Sequence, residues 1–449
     1  MHRLLALFLL VCSAAAQETV TAGDALNAET CAKIRDTVMP RIEAFTRMKF
    51  RRSVPIQIQP KKTWEAALQQ GGFGGHMARH GLAFYSPGEN RVTVVPWTIG
   101  GYPPPGQKGE PRKRSVEEWI SELEPVLIHE LTHAIHHQNF YSEVRFDAVS
   151  MQVGGLSEEE LDNSTVDFLL GEGFPELVSV RTTEFRTQVL RTPSQLDSPL
   201  RYMKTYQPNN KEPYRILLSN SGYVDGLNMC HHLQLVAGSR GVRACLYRPP
   251  PRLLLFQPEL LKTVDLEDPP DPDSIFGFLS PEVLKGHDVR LAVNPGSSRL
   301  FDGAYEGGVR EPGCLIGYVA EVGGSGDPNG ECRYAFFVAD PDAPGEWSGA
   351  QAASLKAMNP AGAAEKEAPL PKAENVKAKV VTVKMDDGSL YVRAETSGLV
   401  VLAHESKPTS NLEQRVLLAL RALYICKPKP KLYGEAKAKA VAELEKAGD

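Results

Sequence analysis

Apolar residues recur every three to four positions through residues 28–47 (Ile34, Val38, Ile42, Phe45), a spacing that predicts an amphipathic helix. Residues 54–59 alternate Val, Ile and Ile with Pro and Gln and predict a strand, and residues 63–70 predict a short helix that Thr63 can cap. Gly71-Gly72-Phe73-Gly74-Gly75 predicts a flexible loop, without the Lys-Ser/Thr that a phosphate loop needs. Two strands at 81–85 and 91–96 flank a turn-rich linker, and 101–113 is a basic, Pro/Gly-rich loop. Ser115 and Glu118 make a capping-box pattern that opens a helix. Proline is poorly tolerated inside a helix and welcome in its first turn, so Pro125 predicts a break near Glu124 and a new helix starting at Pro125. Val126, Leu127, Ile128, Leu131, Ala134 and Ile135 give that helix its apolar surface. Residues 147–162 are less regular, 164–180 and 223–236 have helical spacing, and 202–220 reads as loop.

The pattern changes after residue 248. Prolines at 249–251 and in 268–272 mark connecting segments, and short β-like runs follow, including 315–322 and 333–338. Residues 350–377, rich in Ala, Pro, Lys and Glu, read as a linker. Two or three strands are expected over 380–404 and an amphipathic helix over 411–425, with a solvated Lys/Ala-rich end from Lys427. The domains expected are a signal peptide at 1–16, a first domain at 17–248, a connector at 249–285, a β-rich module at 286–345, a linker at 346–377, and short strands with terminal helices at 378–449.

A length of 449 residues favours two or three domains. The net charge of −5 gives no electrostatic footprint for nucleic acid. Met1-His2-Arg3, the apolar run from Leu4 to Val11 and Ala14-Ala15-Ala16 form a signal-peptide pattern with cleavage near Ala16/Gln17, so the chain is expected to be secreted or periplasmic. The rival, a lipoprotein signal with Cys12 lipidated, is disfavoured by the bulky Val11. No later stretch is long and apolar enough for a transmembrane segment. Cleavage leaves Cys31, Cys230, Cys245, Cys314, Cys332 and Cys426, an even number that permits disulfides. Cys314 with Cys332, bracketing one hairpin, is the preferred pair and Cys230 with Cys245 the next.

The chemistry lies in His129-Glu130-Leu131-Thr132-His133. Residues four apart on a helix share a face, so His129 and His133 can hold one Zn2+ through two imidazoles. Glu130 beside them can take a proton from a metal-activated water. A catalytic zinc usually has three protein ligands. The metzincin spacing fails, because His136 and Asn139 stand where Gly and His are required. The gluzincin pattern draws a Glu from a later helix, and Leu169-Leu170-Gly171-Glu172-Gly173-Phe174-Pro175-Glu176 fits it, with Glu172 as ligand and Glu176 holding the free ring nitrogen of a ligand His. His136 and His137 read as second-layer or surface residues, and His76 and His80 as surface loop residues.

With HELTHAIHHQNF at 129–140, GEGFPELVS at 171–179 and GYVDG at 222–226, residues 81–240 resemble the gluzincin metallopeptidases, the thermolysin-like and peptidase-MA-like group. The resemblance implies an α+β chain whose zincin-like catalytic domain has a small mixed sheet followed by the HExxH helix and a helical lobe. It implies one catalytic Zn2+, a peptide or protein substrate, and hydrolysis by zinc-activated water with Glu130 as general base. It also implies an oxyanion donor, matched by Tyr223 of Tyr223-Val224-Asp225-Gly226, with His231 and His232 as runners-up. A strand edge near 81–86 would hold the peptide by main-chain pairing. Pro175 stands where the family usually has Ala and predicts a kink just after Glu172. The alternative reading is an inactive zincin-like protein that binds peptide or envelope material. The resemblance leaves residues 250–449 without a role.

Overall fold

The computed structural model describes residues 19–51, 53–70, 72–86, 89–139, 158–183, 221–247, 250–251, 254–255, 258–264, 266, 289–292, 314–322, 332–339, 362–408, 411–425 and 434–448. The expected signal peptide, the loop at 202–220 and the proline segment at 268–272 lie outside these residues. Within them the chain is mixed α+β, with ten helices and three sheets. No helix among the described residues is long and apolar enough to cross a membrane. The chain divides into two compact units, one of residues 1–47, 53–134 and 178–187, the other of residues 48–52, 135–177 and 188–449.

The first unit runs through β1 (Val20–Thr21), α1 (Ala22–Ala25), α2 (Ala28–Thr46), β2 (Ile56–Ile58), α3 (Lys61–Gln69), α4 (Gly72–His80), β3 (Ala83–Ser86), β4 (Arg91–Val94), α5 (Pro96–Ile99), β5 (Lys113–Arg114) and most of α6 (Val116–Asn139). The Asn27 side chain caps α2 by accepting the Thr30 N–H at 2.9 Å, and Cys31, Ile34, Val38 and Ile42 form its buried stripe. β4 is the middle strand of a three-stranded sheet, parallel to β2 and antiparallel to β3, so β3 is an edge. β1 and β5 pair antiparallel.

Two local expectations give way to packing. The glycine-rich stretch is helix from Gly72 onward rather than loop. Trp64 explains it: its indole N–H donates to the Ala78 carbonyl at 2.7 Å, and Trp64, Leu68, Ala78 and Val95 form one buried cluster. This tertiary contact outweighs the roughly 1 kcal/mol that each glycine costs a helix.

The second is the expected break at Pro125. The capping box forms as predicted, with the Ser115 N–H on the Glu118 carboxylate at 2.9 Å and the Glu118 N–H on Ser115 Oγ at 3.2 Å. The helix then runs unbroken through Pro125. Trp119 and Leu123 before the proline, and Leu127, Ile128 and Leu131 after it, are all fully buried. Each contributes about 1.5–3 kcal/mol, against about 3 kcal/mol for one interior proline.

α7 (Glu158–Thr182) likewise continues through Pro175 instead of kinking after Glu172. α8 (Ser221–Tyr247) is longer than its predicted span and carries one non-helical residue, Gly238, at φ 67° and ψ −179°.

In the second unit, β6 (Val289–Ala292), β7 (Cys314–Val322), β8 (Cys332–Ala339), β9 (Ala363–Pro369), β10 (Lys377–Lys384), β11 (Leu390–Thr396) and β12 (Leu399–Glu405) form one antiparallel sheet in the order β6-β7-β8-β12-β11-β10-β9. α9 (Leu412–Ile425) packs on β8, β11 and β12, and α10 (Gly434–Gly448) on a short 3-10 turn at Pro258–Thr263. The sheet joins strands from both sides of the expected linker, and Ala363–Pro369 inside that linker is its edge strand. Its sequence AAEKEAP has no apolar alternation, because an edge strand can be held by main-chain pairing and cross-strand charges. Lys377 meets Glu367 at 2.9 Å and Lys379 meets Glu365 at 2.8 Å.

Strand register also corrects the preferred disulfide. Cys314 lies opposite Ala339, while Cys332 lies opposite Val322. The two cysteines are therefore at opposite ends of the hairpin, about 25 Å apart at the rise of a strand. A disulfide needs Cα atoms within about 7 Å.

Candidate metal centre

Among the described residues, His129, His133 and Glu172 are the one group of His, Cys, Asp or Glu placed to share a metal ion, with ligand atoms all within 4.8 Å of one another. His129 and His133 sit one turn apart on α6, and their Nε2 atoms face each other at 3.0 Å. The rings meet edge to face, centroids 4.8 Å apart. Glu172 comes from α7 and is buried, as is His129, while His133 is half-buried. Two imidazole nitrogens and a carboxylate oxygen are the donor set of hydrolytic zinc sites. Zinc–nitrogen bonds at a tetrahedral angle would hold two nitrogens about 3.3 Å apart, close to the spacing seen. The residues present fit the ion.

Several contacts position the helices that carry these residues. The Ser179 hydroxyl on α7 donates to the Pro125 carbonyl on α6 at 2.9 Å, one turn before His129. Arg41 on α2 reaches both helices, through Nη1 to the Glu124 carboxylate at 2.8 Å and through Nη2 to the Thr182 carbonyl. At the far end of α6, Asn139 Nδ2 donates to the Lys49 carbonyl at 2.8 Å and the Arg51 N–H donates to Gln138 Oε1 at 2.6 Å. Sequence reasoning misses all of these, because a lone Ser, Arg or Asn has no periodicity or motif to flag it.

Glu130 is half-buried, and its Oε2 accepts the Tyr85 backbone N–H at 2.8 Å. Tyr85 lies on β3, whose one sheet neighbour among the described residues is β4, so this N–H points away from the sheet and towards Glu130. Because a main-chain group makes the bond, no side-chain pattern could reveal it.

Gly173, next to Glu172, marks where α7 meets α8. A Cβ added there would lie 2.1 Å from the Gly226 carbonyl carbon, and one on Gly226 would lie 2.5 Å from the Leu169 carbonyl oxygen. The backbones touch, which only glycine permits. The motifs GEGFPELVS and GYVDG thus meet through their glycines. Tyr223 is one turn before Gly226, in the first turn of α8, and is exposed.

Glu176 is half-buried one turn beyond Glu172, outside the trio that could share a metal ion. His136 and His137 are buried rather than at the surface, and the His136 ring lies edge-on to Phe174, centroids 6.3 Å apart. His231 is buried, His232 Nε2 lies 3.4 Å from the Glu259 carboxylate, and His80 is exposed on α4. The His76 side chain lies outside the described set. The chain matches no protein-family model, no curated protein and no solved structure.

Proposed function

We propose that this chain is a zinc-dependent peptidase of gluzincin type, exported by its N-terminal segment, with a zincin-like catalytic domain that acts on peptides or proteins. The convergence of His129, His133 and Glu172 beside Glu130 is the observation that carries this reading. Zinc held by these three residues would supply a Lewis acid that polarises a carbonyl and lowers the pKa of water.

The chain's own groups supply the proton transfers. Glu130 accepts the proton of the attacking water and returns it to the leaving amine. The Tyr85 N–H holds that carboxylate in place through Oε2. The edge of β3 supports a peptide-binding role. An extended peptide would pair with the other outward main-chain groups of this strand, the Tyr85 N–H being engaged by Glu130. Tyr223, at the start of α8, is the candidate donor to the developing oxyanion.

The test combines metal analysis of protein purified without chelators with a peptide-library digest read by mass spectrometry. One zinc per chain and cleavage by the wild type are expected. Glu130→Gln keeps the zinc and loses hydrolysis by a factor of roughly 100 or more. A chain without stoichiometric zinc, or a Glu130→Gln variant that cleaves like the wild type, would overturn the reading.

A further inference from the structure

Tyr85 faces Val92 across the β3–β4 pair, and the Val92 N–H donates away from β3, to the Pro55 carbonyl at 3.0 Å. Tyr85 and Val92 therefore exchange no main-chain bond, which leaves the Tyr85 N–H turned outwards to Glu130. β3 is four residues long and Tyr85 is next to its last residue. The end of so short an edge strand is held by few main-chain bonds and opens easily. Asn90, buried in the turn before β4, holds it. Asn90 Nδ2 donates to the Ser53 carbonyl at 2.9 Å, and the Tyr85 hydroxyl meets Asn90 Oδ1 at 3.1 Å. A carbonyl can only accept, so Ser53 fixes the amide nitrogen on its own side and turns the amide oxygen to Tyr85, whose hydroxyl donates. The Asn90 backbone is left-handed, at φ 47°. Glycine and Asn take that conformation most readily, and of the two only Asn brings an amide. Asp in its place would accept from Tyr85 but set a carboxylate oxygen against the Ser53 carbonyl.

We propose that Asn90 is a positioning residue for Glu130 and acts through Tyr85. Its amide ties the Tyr85 side chain to the segment that leads into β2, and the main-chain N–H of the same tyrosine then stands 2.8 Å from Glu130 Oε2. The carboxylate on α6 is thus aligned by a strand end that Asn90 keeps from opening. The consequence for hydrolysis rests on the peptidase reading of Glu130. A displacement of about 1 Å at a catalytic group can lower a rate about 100-fold, and outer partners of a metal site carry about 10- to 100-fold in activity.

Two readouts on the full-length chain test this. The first is native-state hydrogen exchange of the Tyr85 amide, resolved to the single residue by mass spectrometry. In the wild type this amide should exchange at least about tenfold more slowly than in Glu130→Ala, and Asn90→Gly and Asn90→Asp should each remove most of that protection. The second is steady-state peptide hydrolysis. Asn90→Gly, which keeps the turn's backbone, should lower kcat about tenfold or more, with KM within about twofold of the wild type and zinc content unchanged. Tyr85→Phe, which keeps the N–H and loses the hydroxyl, should show the same split between kcat and KM. A turn that only stabilised the fold would lower the denaturant midpoint and leave kcat per folded, zinc-loaded molecule unchanged. Wild-type protection of the Tyr85 amide in Asn90→Gly, or a wild-type kcat in that variant, overturns the proposal. A wild-type chain that cleaves nothing overturns the peptidase reading instead, while the amide readout still decides whether Asn90 holds Tyr85 on Glu130.

Discussion

Replacing Gly173 by alanine sets two effects of opposite sign against each other. Intrinsic helix propensity favours Ala over Gly inside α7 by about 0.8–1.0 kcal/mol. The new methyl, however, would lie 2.1 Å from the Gly226 carbonyl carbon, 2.2 Å from its oxygen and 2.5 Å from its Cα. Carbon atoms in good contact sit about 3.5–4.0 Å apart, so the helices must separate by more than about 1 Å at their crossing. All three obstructing atoms are backbone, and no rotamer change relieves them. Overpacking of this kind costs about 1–3 kcal/mol, and a clash against rigid backbone belongs at the top of that range. The net effect expected is a loss of about 2 kcal/mol, read as a lower denaturant midpoint followed by circular dichroism. Ligand distances in a zinc site tolerate about 0.2 Å, and Glu172 is the adjacent residue, so zinc affinity should also fall at least about tenfold in a chelator competition. Gly109→Ala is the control, since its nearest neighbour would be 3.5 Å away, and it should change neither quantity. If Gly173→Ala matches or exceeds the wild type in stability and binds zinc equally well, the close crossing of α7 and α8 is wrong.

Three further outcomes are expected. Tyr223→Phe should leave zinc content and stability unchanged, because Tyr223 is exposed, while kcat falls about 100-fold or more; an unchanged kcat removes Tyr223 from the oxyanion role. Ser179→Ala breaks the bond to the Pro125 carbonyl and should cost about 0.5–1.5 kcal/mol in denaturant titration, with weaker zinc binding; wild-type values for both would show that this link does not set the ligand spacing. Burial pushes the Cys31 thiol from 9.0 up to about 12, so the unfolded chain gives up this proton first. The associated stability is intact below about pH 9 and drains away as pH rises towards 12, by at most about 1.4 kcal/mol per pH unit. Denaturant midpoints between about pH 8 and about pH 10.5 should therefore drop further in the wild type than in Cys31→Ala, and equal drops would contradict the shift.

Residues close in sequence settled what local periodicity can settle. The stripe Ile34, Val38 and Ile42 fixed the inward face of α2, and the Ser115/Glu118 pair fixed the start of α6. His129, Glu130 and His133 stand within five residues of one helix, and the common face of His129 and His133, four apart, was legible from spacing alone. Glu172 was legible only through a motif, because nothing in its own helix says which distant residue it meets.

Tertiary structure decided the rest, through contacts whose partners are remote in sequence or lie in the main chain. Buried neighbours carried α6 through Pro125, and the Trp64–Ala78 bond drew a glycine run into helix. Main-chain pairing made a strand of AAEKEAP, which lacks any apolar signal. The Tyr85 N–H that orients Glu130 exists in every residue type except proline, so its identity is invisible in a sequence. Gly173 and Gly226 could be read as letters of two motifs, but only the folded chain shows that their missing side chains let the two helices touch. Periodicity reports which face of an element is apolar; the partner of that face is a property of the packed whole.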